Sequence, residues 1–343
     1  MFGVLFTLFP TAMKEFPPEE NEVAINRKYF RSLERVAKNK VIVLQTLALT
    51  LLTTAAFGFM HYDKFYVQAR FHVEAFRHDP RTSRGLSDIF RSLVIIFFVM
   101  IFRVRFSVRR CDGVKANTAS RVGGVVAAIV AVFLAIIAAL SCNTAAIEGA
   151  GENYEQPACS LQCGCDSARY GYSPVCGLDS TTTYFSPCHA GCQHVQDLNG
   201  FPLFQNCTCG QQHAVRGACS ISDCRFVFSA YQVLYTVFLA VSAASFLMQG
   251  MVILRAVRRI DKPIAIGACF SAIALLATTG GHILYMAISY FTCAYADDGR
   301  CVFHKESLWI IPCVSSVLAL GSGAVSVLAS TVRTEPVIPT TEL

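Results

Sequence analysis

Apolar residues along this chain run in long unbroken blocks rather than at the spacing of a one-sided helix or strand. Five blocks, 41–60, 122–141, 226–254, 264–291 and 308–332, contain no Asp, Glu, Lys or Arg. Each reaches the roughly 20 residues that a helix needs to cross a hydrocarbon core of about 30 Å. Five transmembrane helices are therefore predicted. A sixth candidate, 86–108, has a strictly apolar centre only over 93–102, with Arg91, Arg103 and Arg105 close by. Long basic side chains can reach the interface from such a position, so a short span fits there too.

The charges between the blocks argue for that sixth crossing. With six spans and both ends inside, the inner segments 1–40, 103–121, 255–263 and 333–343 hold 18 Lys and Arg, while the longer outer segments 61–88, 142–225 and 292–307 hold 10. This is the positive-inside bias. The chain divides accordingly into an inner segment 1–40, three spans within 41–141, an outer domain 142–225, three spans within 226–332 and an inner tail 333–343. The opening "MFGVLFTLFP" lacks a basic start and a small-residue cleavage site. It resembles the tail of an earlier span more than a signal peptide.

Composition agrees with a membrane class: 54% of the 343 residues are hydrophobic and only 15% are charged, outside the range of ordinary soluble domains. The net charge of +6 sits beside apolar blocks, where it sets topology, so no nucleic-acid partner is expected. Membrane lipid is the expected surrounding.

Of 16 cysteines, ten crowd into the outer segment: Cys159, Cys163, Cys165, Cys176, Cys188, Cys192, Cys207, Cys209, Cys219 and Cys224. An even count at this density predicts a disulfide framework in an oxidising compartment, its pairing left open. A zinc ribbon is the competing reading. It is disfavoured because Cys163/Cys165 and Cys207/Cys209 are C-x-C pairs, with no C-x-x-C beside them. Cys293 and Cys301 fall in the last outer loop and can close a hairpin, which leaves Cys111, Cys142, Cys269 and Cys313 as expected free thiols. Asn206-Cys207-Thr208 is an N-x-[ST] sequon on the same outer face, making Asn206 a glycosylation candidate.

The outer segment reads "CSLQCGCDSARYGYSPVCGLDSTTTYFSPCHAGC" and continues through "FQNCTCG" and "GACSISDC". Pro174-Val175-Cys176-Gly177, Thr183-Tyr184, Pro187-Cys188 and Ala190-Gly191-Cys192 resemble the Kazal-like loop of the organic anion transporting polypeptides, solute carriers of the major facilitator type. Nearly the whole chain is similar to the C-terminal half of that family, spans seven to twelve. The resemblance implies an all-α membrane protein: a six-helix half of a major facilitator bundle with an inserted, disulfide-rich, Kazal-like extracellular domain. It also implies sodium-independent transport of amphipathic organic anions across the plasma membrane, with both termini cytoplasmic. An N-terminal half would be needed as partner, because the two halves of such a bundle enclose the site between them. No cofactor is implied.

Two residues are candidate substrate contacts. Lys64, in "HYDKFYVQARF", corresponds to a lysine at the outer end of the family's seventh span; an ammonium on an apolar wall attracts carboxylates and sulfates. Against this stands a lysine that merely snorkels to the interface. His282, beside Gly280 and Gly281, lies in a span otherwise without titratable charge, and an intramembrane histidine is a pathway candidate. Against this stands a single hydrogen bond to a backbone carbonyl. The same span lacks the Arg, the Pro-x-Pro element and the acidic residue usual in the family. Trp309 fits an interfacial anchor.

Other functions fare worse. A membrane-anchored Kazal-like binding or protease-inhibitor module is the alternative, with Arg169 as the residue for a trypsin-like pocket. The ten residues between Cys165 and Cys176 lengthen the presenting loop and cost it the rigidity that inhibition needs. No enzyme is expected, for the chain carries no Gly-rich phosphate loop, H-E-x-x-H or G-x-S-x-G.

Overall fold

The computed structural model of the protein describes residues 22–72, 84–108, 116–142, 147–150, 154–165, 171–177, 182–198, 201–209, 212–219, 224–297 and 300–332. The stretch 1–21, Cys111, Arg169 and the tail 333–343 lie outside the described residues.

Helices dominate, as the apolar blocks predict. They are α1 (Glu22–Lys38), α2 (Lys40–Phe71), α3 (Arg84–Val108), α4 (Ala116–Ala139), α5 (Cys224–Arg255), α6 (Lys262–Leu275), α7 (Gly281–Phe291) and α8 (Ile310–Thr331). A single π turn, Leu276–Gly280, joins α6 to α7 into one continuous rod. Among the described residues, five helices are long and apolar enough to cross a membrane: α2, α4, α5, the α6–α7 rod and α8 with its 3-10 lead-in.

The weak candidate is also helical. Its 25 residues span about 37 Å at 1.5 Å per residue, with the apolar run narrowed to Ile89–Ile101. Arg91 turns inward rather than snorkelling: it donates to Gln232 at 2.6 Å and stacks 5.0 Å above the Tyr235 ring, both on α5. Phe90, Leu93, Phe97 and Met100 are left exposed, a surface suited to lipid.

The centre of the bundle is built where small residues let helices touch. α4 crosses α8 at Gly124 and Gly323, where a Cβ on either glycine would stand 2.8 Å from the other's carbonyl oxygen. Close backbone approach of this kind is how helices associate in lipid, where the hydrophobic effect gives no drive for helix pairing. Polar side chains seal the same seam. Ser326 donates to the Ser120 carbonyl at 2.9 Å, and Gln45 of α2 reaches the Ser326 hydroxyl at 3.4 Å. Gln249 of α5 bonds Ser245 and Ser322, and Ser316 donates to the Ala131 carbonyl at 2.8 Å. A block without formal charge thus still carries the polar pairs that fix helix register.

Between α2 and α5 runs an aromatic column. Phe59, Tyr66, Phe71, Tyr231, Tyr235 and Phe238 are all nearly or fully buried, with Tyr66 and Tyr231 stacked at 5.8 Å. Tyr66 donates to the Ile137 carbonyl of α4 at 2.6 Å, and Tyr231 donates to the Asp63 carboxylate. At the other end of the bundle Asn39 breaks the chain between α1 and α2. Its side-chain oxygen caps Val41 and Ile42, and its amide reaches Ala256 at 3.1 Å. Beside it Arg35 clasps Asp261 through both carboxylate oxygens, at 2.7 and 3.3 Å. Those bonds hold the Asp261 carboxyl below its usual range.

The cysteine-rich segment folds into a five-stranded antiparallel sheet in the order β2-β1-β5-β4-β3, made of β1 (Val175–Gly177), β2 (Thr183–Tyr184), β3 (His194–Leu198), β4 (Phe201–Gln205) and β5 (His213–Arg216). A sheet this small buries little apolar surface, so covalent staples stand in for a core. Four bridges lie within it, Cys159–Cys209, Cys165–Cys188, Cys176–Cys219 and Cys192–Cys207. Cys293–Cys301 closes a separate hairpin of β6 (Cys293–Asp297) and β7 (Arg300–His304).

Two cysteine expectations are corrected here. Cys142 is not free: it pairs with Cys224, tying the end of α4 to the start of α5. Cys163 is not bridged and stands as an exposed free thiol, alongside the expected free Cys269 and Cys313. Counting by density misleads because Cys224 opens a transmembrane helix. Its neighbour in space is the end of another helix, not the sheet.

Candidate functional site

The sheet domain rests on the helix ends through an aromatic cluster. Tyr172 stacks on Phe303 at 5.0 Å, and Phe185 packs on Tyr172, Tyr154 and Tyr295. His72, the left-handed cap of α2, meets the Tyr172 hydroxyl at 3.2 Å. Tyr154 N–H donates to the Ala294 carbonyl at 3.0 Å. Two histidines are drawn into this junction. Burial pushes His189 down to about 4, beside the Ser186 hydroxyl at 2.8 Å. Burial pushes His304 down to about 4 as well, against the opposing pull of its bond with Thr292. The domain is fixed to the membrane bundle rather than hung from it.

Below this cap, α2 and the α6–α7 rod carry the sequence candidates. α2 continues eleven residues beyond its apolar block, to Phe71. The α6–α7 rod packs against α2 at two close points. Gly58 receives the Tyr285 ring, which a Cβ there would meet at 2.0 Å, and Gly281 sits on Thr54, 3.0 Å from where its Cβ would be. Gly280, by contrast, faces open space. Tyr285 stacks on Tyr62 at 6.1 Å and bonds the Ser315 hydroxyl of α8 at 2.5 Å.

These contacts place His282 beside a residue that sequence reasoning missed, His61. The two rings meet edge to face with centroids 6.4 Å apart. Both side chains are exposed, as is Lys64, which shares a face with His61 one helical turn away. The Lys64 ammonium lies 4.7 Å above the Phe65 ring. Asp63, between His61 and Lys64 in sequence, accepts from the Tyr231 hydroxyl of α5. Around these cationic or protonatable groups the surface is apolar: Phe57, Met60, Ile283 and Met286 are all exposed. The α6–α7 rod is also the least covered span, 28% buried against 44–56% for the others.

His61 left two faint signals in the sequence. It falls just after the 41–60 block, and it lies three residues before Lys64. Its partner is invisible there, because the π turn inserts an extra residue that sets where His282 points. Asn206 is exposed at the end of β4 with a positive φ of 56°, its amide 2.9 Å from Gln193.

Fold and surface together define a helical membrane protein with a disulfide-braced sheet domain and a helical face that is apolar but for Lys64, His61 and His282. Residues 11–309 match the profile of the Organic Anion Transporter Polypeptide (OATP) family, and the chain belongs to that family. These are transporters, not enzymes. The mouse solute carrier organic anion transporter family member 2B1 is 30% identical over 145 residues, covering 40% of this chain and 21% of the relative. Mouse member 4C1 is 30% identical over 173 residues, 47% of this chain and 23% of the relative. Human member 1C1 is 23% identical over 296 residues, 80% of this chain and 40% of the relative. The matched stretches thus span between about a fifth and two fifths of these relatives' lengths.

Proposed function

We propose that this chain forms one wall of a pathway for amphipathic organic anions across the plasma membrane, without need of sodium. One observation carries the proposal: Lys64, His61 and His282 stand exposed together on a face otherwise lined by Phe57, Met60, Ile283 and Met286. An apolar wall carrying a lysine and two imidazoles matches a ligand that is apolar along its body and anionic at one end. A second six-helix half would face this wall and complete the enclosure, as in transporters built of paired repeats. The positive-inside bias supports cytoplasmic termini. The bridged, sequon-bearing segment supports an outer face with Asn206 glycosylated.

The Kazal-like domain acts in this reading as a brace over the helix ends. Its aromatic cluster packs on the β6–β7 hairpin and its Tyr172 meets His72 at the end of α2, contacts that suit a brace.

The test is binding of a tritiated steroid sulfate to the purified chain in lipid nanodiscs. Saturable binding that weakens at least fivefold in Lys64→Ala is expected. Equal binding by Lys64→Ala and by the unaltered chain contradicts the proposed wall.

A further inference from the structure

We propose that Asn206 accepts a glycan only while the Cys192–Cys207 bridge is open, so that closure of this bridge sets the fraction of chains carrying a sugar there. This order of modification rests on the outer placement and the glycosylated Asn206 proposed above. In the folded domain every residue of the sequon Asn206-Cys207-Thr208 is engaged. Asn206, at a left-handed φ of 56°, gives its side-chain amide to Gln193 Oε1 at 2.9 Å. Cys207 is bridged to Cys192. Thr208 donates through its hydroxyl to the Cys159 carbonyl at 3.1 Å and through its backbone N–H to the Gly191 carbonyl at 3.3 Å.

The sequon cannot be lifted from the domain without opening covalent bonds. Cys207 and Cys209 flank Thr208, and both are bridged, to Cys192 and to Cys159. Cys209 N–H adds a bond to the Ala190 carbonyl at 3.2 Å. Gly191, with a φ of 70°, lies so close that a Cβ on it would stand 1.9 Å from Thr208 Oγ1. Asn206 and Thr208 are nonetheless exposed, so a fixed backbone and an engaged hydroxyl close the site, not burial. A transferring enzyme reads the hydroxyl two residues after the asparagine and needs the segment free to enter its own active site. The bridged domain offers neither.

Two reactions therefore compete for one short stretch. In glycosylation a bond forms between Asn206 Nδ2 and the anomeric carbon of a lipid-pyrophosphate-linked oligosaccharide. The bond from that carbon to phosphate breaks, and the amide loses one proton as the lipid pyrophosphate leaves. In bridging, the Cys192 and Cys207 thiols give two electrons and two protons to the disulfide of an oxidoreductase, which departs as a dithiol. Local structure favours bridging. The two cysteines are 15 residues apart and are joined by the β3–β4 hairpin, whose register sets His194 opposite Gln205 and Gln193 N–H on the Gln205 carbonyl at 3.2 Å. A hairpin forms within about 1–10 μs, whereas disulfide formation takes seconds to hours. The thiols are thus aligned before oxidation begins, and Asn206 has only the interval before oxidation in which to react. Cys159–Cys209, with a separation of 50, needs a more distant part of the chain and locks the sequon second.

The test expresses the full chain in cultured animal cells and reads Asn206 occupancy by peptide mass spectrometry after deglycosylation in heavy-oxygen water. Partial occupancy is expected in the unaltered chain. Cys192→Ser leaves the sequon intact and should raise occupancy by about twofold or more, since oxidation no longer ends the interval for transfer. Cys176→Ser opens Cys176–Cys219 and leaves both bridges at the sequon in place, so occupancy should not change. A second measurement separates access from misfolding in the cell. Full chain from cells blocked in lipid-linked oligosaccharide synthesis, held in nanodiscs, is offered to purified oligosaccharyltransferase with its lipid-linked donor. Transfer should be about tenfold greater after reduction, which opens both bridges at the sequon. Full occupancy in the unaltered chain, no rise in Cys192→Ser, an equal rise in Cys176→Ser, or equal transfer to bridged and reduced chain overturns the order of modification alone. Absence of sugar on Asn206 in every variant and after reduction overturns the reading of Asn206 as an acceptor, and the order with it.

Discussion

Replacing Cys142 with serine should destabilise the cysteine-rich domain far more than replacing Cys163. Cys142 and Cys224 are 82 residues apart, but Cys159–Cys209 already bridges 50 of those residues, so the loop they close is about 32 residues along the shortest covalent path. Loop-closure entropy for that length corresponds to about 3 to 4 kcal/mol. For a segment of this size, a loss of that order lowers the unfolding temperature by more than about 10 °C. Cys163 is exposed and unbridged, so Cys163→Ser belongs with surface changes that stay within about 0.5 kcal/mol. The assay is thermal unfolding of the purified full chain, paired with peptide mapping under non-reducing conditions. A peptide linking Cys163 to Cys224, or equal melting of Cys142→Ser and Cys163→Ser, would refute the bracing of α4 to α5.

Three further outcomes follow from the same packing. Gly124→Val drives a side chain into the Gly323 carbonyl, which a Cβ alone would approach to 2.8 Å; a loss of about 1 to 3 kcal/mol is expected, read as a lower melting temperature in detergent. Gly280→Ala, with nothing within 4 Å of the added Cβ, should leave the same melting temperature unchanged. His189 and His304 are held neutral in the folded domain, each down to about 4, whereas an unfolded histidine titrates near 6.5. The unfolded state therefore binds more protons between those values. Stability should fall as pH drops from about 6.5 to about 4, by on the order of 2 kcal/mol per histidine after allowance for screening; thermal unfolding across that range checks it, and a flat profile contradicts the buried, neutral assignment.

Uncharged apolar blocks announced five of the helices because length and composition suffice to mark a helix in lipid. The sixth was blurred by Arg91, whose charge reads as interfacial in sequence but is taken up by Gln232 and the Tyr235 face. The same difficulty hid the full length of α2: Asp63 looks like an end to the span until Tyr231 is seen to hold it. What joins the helices was illegible. The Gly124–Gly323 contact and the Ser120–Ser326–Gln45 bonds pair positions more than 70 residues apart, and small or hydroxyl residues carry no sequence signal of their partner.

The candidate site was half visible for a related reason. Lys64 and His282 stood out as polar groups at or in apolar spans, whereas His61 drew no notice beyond the edge of its block. Their convergence depends on Gly58, Gly281 and the π turn, none of which announces a neighbour on another helix. Cysteine spacing likewise identified a bridged domain but assigned Cys163 and Cys142 wrongly, because bridging follows proximity in space.

The face shared by α2 and the α6–α7 rod is proposed to meet the ligand. A steroid sulfate carrying a photoreactive diazirine, irradiated with the chain in nanodiscs and mapped by mass spectrometry, tests it most directly. Labelling on 57–64 and 282–290, suppressed by excess unlabelled steroid sulfate, is expected. Labelling confined to the exposed apolar side chains of α3, or unaffected by competitor, would contradict it.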